Sequence, residues 1–205
     1  MANFPGSFPL EPAKDKIIIS NLLKIRRLAD IFLIIFYAVM VGPSLLLVKE
    51  TKTRLVNLKA GKKSLVFLPL TVAGLFGYVL FGLNFLSKVP VLGWSWLGYN
   101  IALGPYANEG VWGVLPFLPL LFYMLVHVNY FEEFYFRKNS KRVVIWAFLH
   151  IVMGVPVHVA LVLLPLGFFY KHIYDKYDVN HSYALHFATN IVIIFSSLAS
   201  FFFTV

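Results

Sequence analysis

Residues 111–137 read VWGVLPFLPLLFYMLVHVNYFEEFYFR, and this stretch decides the fold. Residues 111–131 carry no charged side chain, and at about 1.5 Å per residue they are long enough to cross a hydrocarbon layer of roughly 30 Å. Two carboxylates, Glu132 and Glu133, follow directly. A carboxylate at the edge of a membrane segment is costly in free energy unless it is paired or has a function. The stretch therefore predicts a membrane helix with a functional site at its end, the alternative being an acidic boundary between lipid and water.

The spacing within this stretch predicts different roles for the two glutamates. Glu133 and Arg137 are four residues apart, so on a continuing helix they share one face and can form an ion pair. Glu132 faces about 100° away from that pair on the same helix. It is left without this partner and could serve as a general base.

Composition places the whole chain in the membrane class. Of its 205 residues 60% are hydrophobic and only 13% are charged, whereas soluble proteins carry roughly one quarter charged residues. The net charge of +9 comes from short basic runs beside apolar segments, which is how membrane proteins mark cytoplasmic loops, so no nucleic-acid partner is predicted. The absence of cysteine excludes disulfides, thiolate nucleophiles and Cys-ligated metals.

The order of apolar and basic segments predicts an all-α, polytopic transmembrane bundle of about five to six helices, some kinked or broken at proline. Residues 1–29 are predicted to form an extended arm and an interfacial amphipathic helix, and residues 30–205 a single transmembrane domain. The first two spans are predicted at residues 30–48 and 65–87. The apolar residues 143–170, which contain Pro156 and Pro165, fit either one broken helix or a span plus a half-span. Residues 49–63 hold six basic side chains and are predicted to be a loop on the same, cytoplasmic side as residues 137–142. The tryptophan-containing connection of residues 88–110 is predicted to lie in the opposite interface.

Two more polar patterns lie in later apolar segments. Trp146 and His150 are four residues apart, as are His186 and Asn190, so each pair shares a helical face. Polar side chains in lipid need partners in the bundle interior. A shared site that also contains Glu132 is therefore predicted, the alternative being a buried polar network that only holds helices together.

The three patterns together resemble a known family. An EExxxR motif, an aromatic-xxxH motif and an HxxxN motif, in this order in residues 111–205, are similar to the CPBP family of intramembrane glutamic endopeptidases, which includes CAAX-processing and bacteriocin-processing proteins. The resemblance implies that Glu132 and His150 activate a water, that His186 and Asn190 bind the oxyanion, and that two further residues support the site. These supporting residues are Glu133 and Arg137.

The resemblance implies hydrolysis of a membrane-embedded protein or peptide at the cytoplasmic face, without a cofactor, in a bacterial plasma membrane or a thylakoid membrane. A zinc ion held by Glu132, His150 and His186 is the alternative chemistry. A non-catalytic accessory or assembly subunit of a larger membrane complex is the alternative function. The other four histidines leave open a role as ligands of a tetrapyrrole or a metal ion. The alternative for His127 and His158 is packing between helices, and the alternative for His172 and His181 is a solvated loop.

Overall fold

The structure is a computed structural model, and it describes residues 31, 34–35, 37–39, 41–97 and 111–203. The described residues form helices and turns without a strand. The predicted arm and interfacial helix, residues 1–29, lie outside the described residues. The predicted first span, residues 30–48, is described only in part and is helical over residues 41–46.

Five principal helices follow in chain order. They are α1 (Val48–Lys88), α2 (Val111–Phe136), α3 (Ser140–Val152), α4 (Val157–Lys176) and α5 (Val179–Phe203). Within the described part of the chain, all but α3 are long and apolar enough to cross a membrane. The predicted all-α membrane bundle is therefore confirmed, with four candidate spans in the described residues, and the chain is an integral membrane protein.

Helix α1 corrects one prediction. Residues 49–63, expected to be a cytoplasmic loop, are helical and continuous with the predicted second span. The physical reason is that lysine, arginine and leucine favour helix, and no proline interrupts the chain between Pro43 and Pro69. With 41 residues, α1 exceeds the roughly 20 that a bilayer requires, so its basic beginning extends out of the hydrocarbon layer.

The apolar stretch of residues 143–170, which the sequence left open as one broken helix or a span and a half-span, folds as a short helix followed by a span. Helices α3 and α4 are joined by a turn in which Gly154 has a φ of 89°, a conformation that glycine adopts without strain. Pro156 is the residue directly before α4. The connection after α1 covers this turn, since Trp96 Nε1 donates to the Ile151 carbonyl at 2.9 Å and Ser95 Oγ donates to the Gly154 carbonyl at 2.6 Å.

Helix α5 packs closely against α1. A Cβ atom on Gly61 would collide with the backbone carbonyl of Asn180, so only glycine allows this approach. Ser64 Oγ donates to the His181 carbonyl at 2.6 Å, and further along the two helices the hydroxyls of Thr71 and Thr189 are 3.2 Å apart. The basic part of α1 consequently lies beside the beginning of α5.

A hydrophobic cluster at the same end of the bundle supports the candidate site. It joins the end of α2 to α3, α4 and α5 through buried side chains, which are Phe136, Trp146, Ala147, Tyr170, Ile173 and Leu185. Close packing of this kind restricts rotamers. The polar side chains on the same helices are thereby held in fixed positions.

Candidate active site

Glu133 is the centre of a buried polar network. Arg137 Nε donates to both of its carboxylate oxygens, at 3.0 and 3.1 Å, and neither side chain is exposed to solvent. The predicted ion pair between these residues is thus present. The Ser182 hydroxyl, on α5, also donates to Glu133. The network therefore joins α2 to α5.

The guanidinium of Arg137 is surrounded by aromatic faces. It lies 4.0 Å from the ring centre of Trp146 and 5.5 Å from that of Tyr170. Removing an ion pair from water is costly, so a buried pair needs additional interactions. The aromatic faces supply them as cation–π contacts.

His186 connects the two glutamates. Its Nδ1 is 2.7 Å from Glu133 Oε1, and its Nε2 is 3.7 Å from Glu132 Oε2. Because a carboxylate accepts hydrogen bonds, Nδ1 carries the proton and Nε2 faces Glu132. Glu133 therefore supports His186 as well as Arg137, a second role that the sequence motif did not predict. A distance of 3.7 Å between Nε2 and Glu132 is suited to a bridging water.

His150 approaches the same site from α3. Its Nδ1 donates to the Trp146 carbonyl at 2.9 Å, which leaves Nε2 as the proton-accepting nitrogen. The indole of Trp146 lies between the two imidazoles, 4.9 Å from the His150 ring and 5.7 Å from the His186 ring. His150 also interacts electrostatically with Glu132 and His186. The structure thus places His186 beside Glu132 and His150 within electrostatic range of both.

Asn190 meets a partner that the sequence reasoning missed. Its Nδ2 donates to Asn129 Oδ1 at 3.1 Å, and Asn190 lies one turn beyond His186 on α5. Asn129 is 1% exposed and lies four residues before Glu133 on α2. That spacing was the available signal, because it places the amide on the same helical face as the buried carboxylate.

Exposure separates the two glutamates. The side chain of Glu132 is 17% exposed and that of Glu133 is 0% exposed. The first has surface that is accessible from outside the protein, whereas the second is enclosed by its partners. The division of roles between a reactive carboxylate and a supporting one stays a prediction.

The remaining histidines lie outside this site. His127 is 3.1 Å from Thr51 Oγ1, and His158 is 2.6 Å from the Tyr78 hydroxyl. Both are buried between helices, in agreement with a packing role. The solvated loop predicted for the other two is wrong, because His172 lies in α4 and His181 in α5.

A metal-ligating cluster is not found in the part of the chain that the structure describes. The alternative zinc set of Glu132, His150 and His186 does not form one. Each imidazole uses Nδ1 to donate to another group of the protein, so Nε2 is the nitrogen that is left for the site. The arrangement instead offers a partly exposed carboxylate, two proton-accepting Nε2 atoms and an amide.

No family model, no curated protein and no solved structure matches the chain.

Proposed function

We propose that the chain is an intramembrane endopeptidase of the CPBP type. The observation that carries this proposal is the position of Glu132, which is partly exposed and lies 3.7 Å from His186 Nε2, while the opposite edge of the same imidazole is anchored by buried Glu133. A carboxylate and an oriented imidazole at this separation are suited to holding one water between them.

The chemistry follows from these groups. Glu132 removes a proton from the water as the water oxygen attacks the carbonyl carbon of a peptide bond. The carbonyl oxygen becomes an oxyanion, and the Asn190 amide is a donor that can stabilise it. When the C–N bond breaks, the proton held by Glu132 passes to the departing amine, so the carboxylate is restored. His150, through Nε2, can share this proton.

The role of His186 depends on whether its Nε2 carries a proton. Nδ1 donates to Glu133, so Nε2 donates to an oxyanion only when both ring nitrogens carry a proton. With one proton, Nε2 accepts a hydrogen bond from the water instead. Glu133 holds the ring in the same orientation in either form. The His186–Glu133 contact is thus the positioning element of the site.

The substrate of this proposal is a membrane-embedded protein or peptide, cleaved without a cofactor. The site lies at the end of the bundle where the basic part of α1 and the basic residues after α2 are found, which favours the cytoplasmic face. A bacterial plasma membrane or a thylakoid membrane is the proposed location.

Replacement of the proposed base tests the activity. Glu132→Gln keeps the size of the side chain but cannot accept the proton of water, so we expect cleavage to fall by about 10²-fold or more. His150→Ala should have a comparable effect. The assay places the purified protein in liposomes with membrane proteins of the source organism and identifies new N-termini by mass spectrometry.

The matched control is Glu50→Gln, the same chemical change at an exposed position of α1. It should leave cleavage unchanged, and circular dichroism should show that all three variants are folded. Full cleavage by Glu132→Gln would remove the proposed mechanism. Loss of cleavage on adding a chelator, with recovery on adding zinc, would support the metal-dependent alternative instead.

An accessory subunit is the second candidate, and α1 is the observation in its favour. Only 6% of the most apolar 18-residue segment of α1 is buried within the protein, whereas 44% of the corresponding segment of α5 is buried. An apolar helix that is so little covered contacts either lipid or another subunit. Complementation separates the two functions. If Glu132→Gln restores a deletion strain completely, the accessory role is correct and catalysis is not.

A further inference from the structure

Asn129 is a buried amide with an unused donor group. Its Oδ1 accepts from Asn190 Nδ2 at 3.1 Å, whereas its Nδ2 has no hydrogen-bond partner in the described part of the chain. Its exposure is 1%. Buried polar groups in folded proteins are nearly always hydrogen-bonded. An exception beside a candidate active site indicates a group that is satisfied by something that binds there.

The position of Asn129 relates it to the groups that the mechanism uses. On α2 it is three residues before Glu132 and four before Glu133, so it neighbours both carboxylates along the helix. Through Asn190 it reaches α5 one turn beyond His186. The two amides therefore form a pair that bridges α2 and α5 next to the carboxylates.

The donors and acceptors of this pair define the ligand. The hydrogen bond between the amides occupies one hydrogen of Asn190 Nδ2 and one lone pair of Asn129 Oδ1. Both hydrogens of Asn129 Nδ2 are left to donate. A group that accepts hydrogen bonds but carries no charge is the complement of such a neutral donor. In a polypeptide that group is the backbone carbonyl.

We infer that Asn129 binds a backbone carbonyl of the substrate through Nδ2 while its Oδ1 fixes the orientation of Asn190. Asn129 is thus a substrate-binding residue and a positioning residue for the proposed oxyanion donor. This inference rests on the proposed function for the identity of the ligand as a peptide. Binding can nevertheless be measured without cleavage, which allows the two to be tested separately.

The experiment measures binding to the full-length Glu132→Gln protein in detergent, where no turnover occurs. The probes are N-acetyl dileucine amide and its analogue in which a trans-alkene replaces the central amide, so that shape is kept while the carbonyl and the N–H of that amide are both lost. Of these two groups only the carbonyl can accept from Nδ2, and we expect the amide to bind roughly tenfold more tightly, as measured by titration calorimetry.

Two substitutions of Asn129 test the role of Nδ2. Asn129→Leu removes both the donor and the acceptor at similar size, and Asn129→Ala removes them without filling the space. In both variants the preference for the amide over the alkene should fall to about onefold. Thr71→Val is the matched control, because it removes a buried interhelical hydrogen bond to Thr189, the residue next to Asn190 on α5, without changing Asn129 itself. It should keep the full preference.

Several results would overturn the inference. They are an unchanged preference in Asn129→Leu or Asn129→Ala, and equal or undetectable binding of the two probes to the Glu132→Gln protein. Thermal melting adds a second readout. Asn129→Leu leaves Asn190 Nδ2 without its acceptor, so a lower melting temperature is expected and is not by itself evidence against binding. A melting temperature that falls while the preference stays intact would assign Asn129 to packing alone.

The outcomes also separate this inference from the proposed function. If the preference disappears in the Asn129 variants but the unmodified chain cleaves no peptide, the carbonyl site is correct and the endopeptidase is not. If the chain cleaves peptides and the preference is unaffected, the endopeptidase is correct and the role of Asn129 is not.

Discussion

Two acid–base pairs in this protein have the same spacing along a helix and lie in opposite environments. Glu133 and Arg137 on α2 are both 0% exposed. Lys171 and Asp175 on α4 are 19% and 54% exposed, with Nζ 2.7 Å from the carboxylate. The first pair is built into a network that reaches α5, and the second is a local contact on one helix.

The difference shows which of the two pairs can position a functional group. An exposed pair in water contributes about 0–1 kcal/mol, because solvent screens it and both side chains can move. The buried pair cannot exchange its partners for water. Glu133 therefore holds His186 in one orientation for as long as Arg137 balances its charge.

Neutralising the carboxylate in each pair should give very different losses of stability. Glu133→Gln leaves the buried Arg137 guanidinium without a counter-charge, so we expect the free energy of unfolding to fall by about 3–5 kcal/mol. Asp175→Asn should lower it by about 0–1 kcal/mol. The measurement is unfolding of each variant by denaturing detergent, followed by circular dichroism.

A double variant controls for the loss of the side chain itself. Glu133→Gln combined with Arg137→Met removes both charges from the buried site, and the stability should recover part of the loss, because a buried pair can be replaced by apolar groups at little cost. Equal losses in Glu133→Gln and Asp175→Asn would contradict the contrast between the regions.

The sequence predicted the pair of Glu133 and Arg137, but not its burial or its contact with His186. Spacing of four residues is sufficient to place Glu133 beside Arg137, and the apolar stretch before them is sufficient to predict a membrane helix. The contact of Glu133 with His186 depends on the rotation and depth of α5 relative to α2. Those are set by tertiary packing, such as the close approach of Gly61 to Asn180, which no local pattern encodes.

Two errors of the sequence interpretation have different origins. Charge patterns in membrane proteins report the side of the membrane, not the backbone conformation, so the basic residues 49–63 were predicted to be a loop although they are helical. Asn129 was missed because it belongs to none of the three motifs. Its relevance becomes visible only when Asn190 is found beside it.

Removing a single hydroxyl compares a hydrogen bond to a charged acceptor with one to a neutral acceptor. Ser182 donates to the Glu133 carboxylate, and Ser64 donates to the His181 carbonyl at 2.6 Å. We expect Ser182→Ala to cost about 1.5–3 kcal/mol and Ser64→Ala about 0.5–1.5 kcal/mol, because hydrogen bonds to charged groups contribute more. Chemical unfolding of the two variants in the same detergent checks this order. A larger loss for Ser64→Ala would show that packing of α1 on α5 dominates this end of the bundle.

The smallest effect concerns two residues that lie outside the candidate spans, each directly before a helix. Asp178, before α5, accepts from the backbone N–H of His181 at 3.0 Å, and Asn139, before α3, accepts from that of Arg142 at 2.9 Å. Each side chain satisfies a helix N–H that would otherwise lack a partner. Replacing either by alanine should cost about 1 kcal/mol at pH 7, since that is the usual contribution of such a cap.

Only the cap before α5 should depend on pH. Partial burial alone would raise the pKa of Asp178, but hydrogen bonds from the ring and the backbone N–H of His181 outweigh it and hold the pKa below its ordinary value of about 3.9. Because the pKa is lower in the folded protein, the stabilisation is present above about pH 4 and is lost as the pH falls through the folded value. The difference in melting temperature between the wild type and Asp178→Ala should therefore shrink from pH 6 to pH 3. The corresponding difference for Asn139→Ala should stay constant, because an amide does not titrate in this range. If both differences shrink together, acid weakens the bundle as a whole and the charge of Asp178 does not stabilise the start of the helix that carries His186.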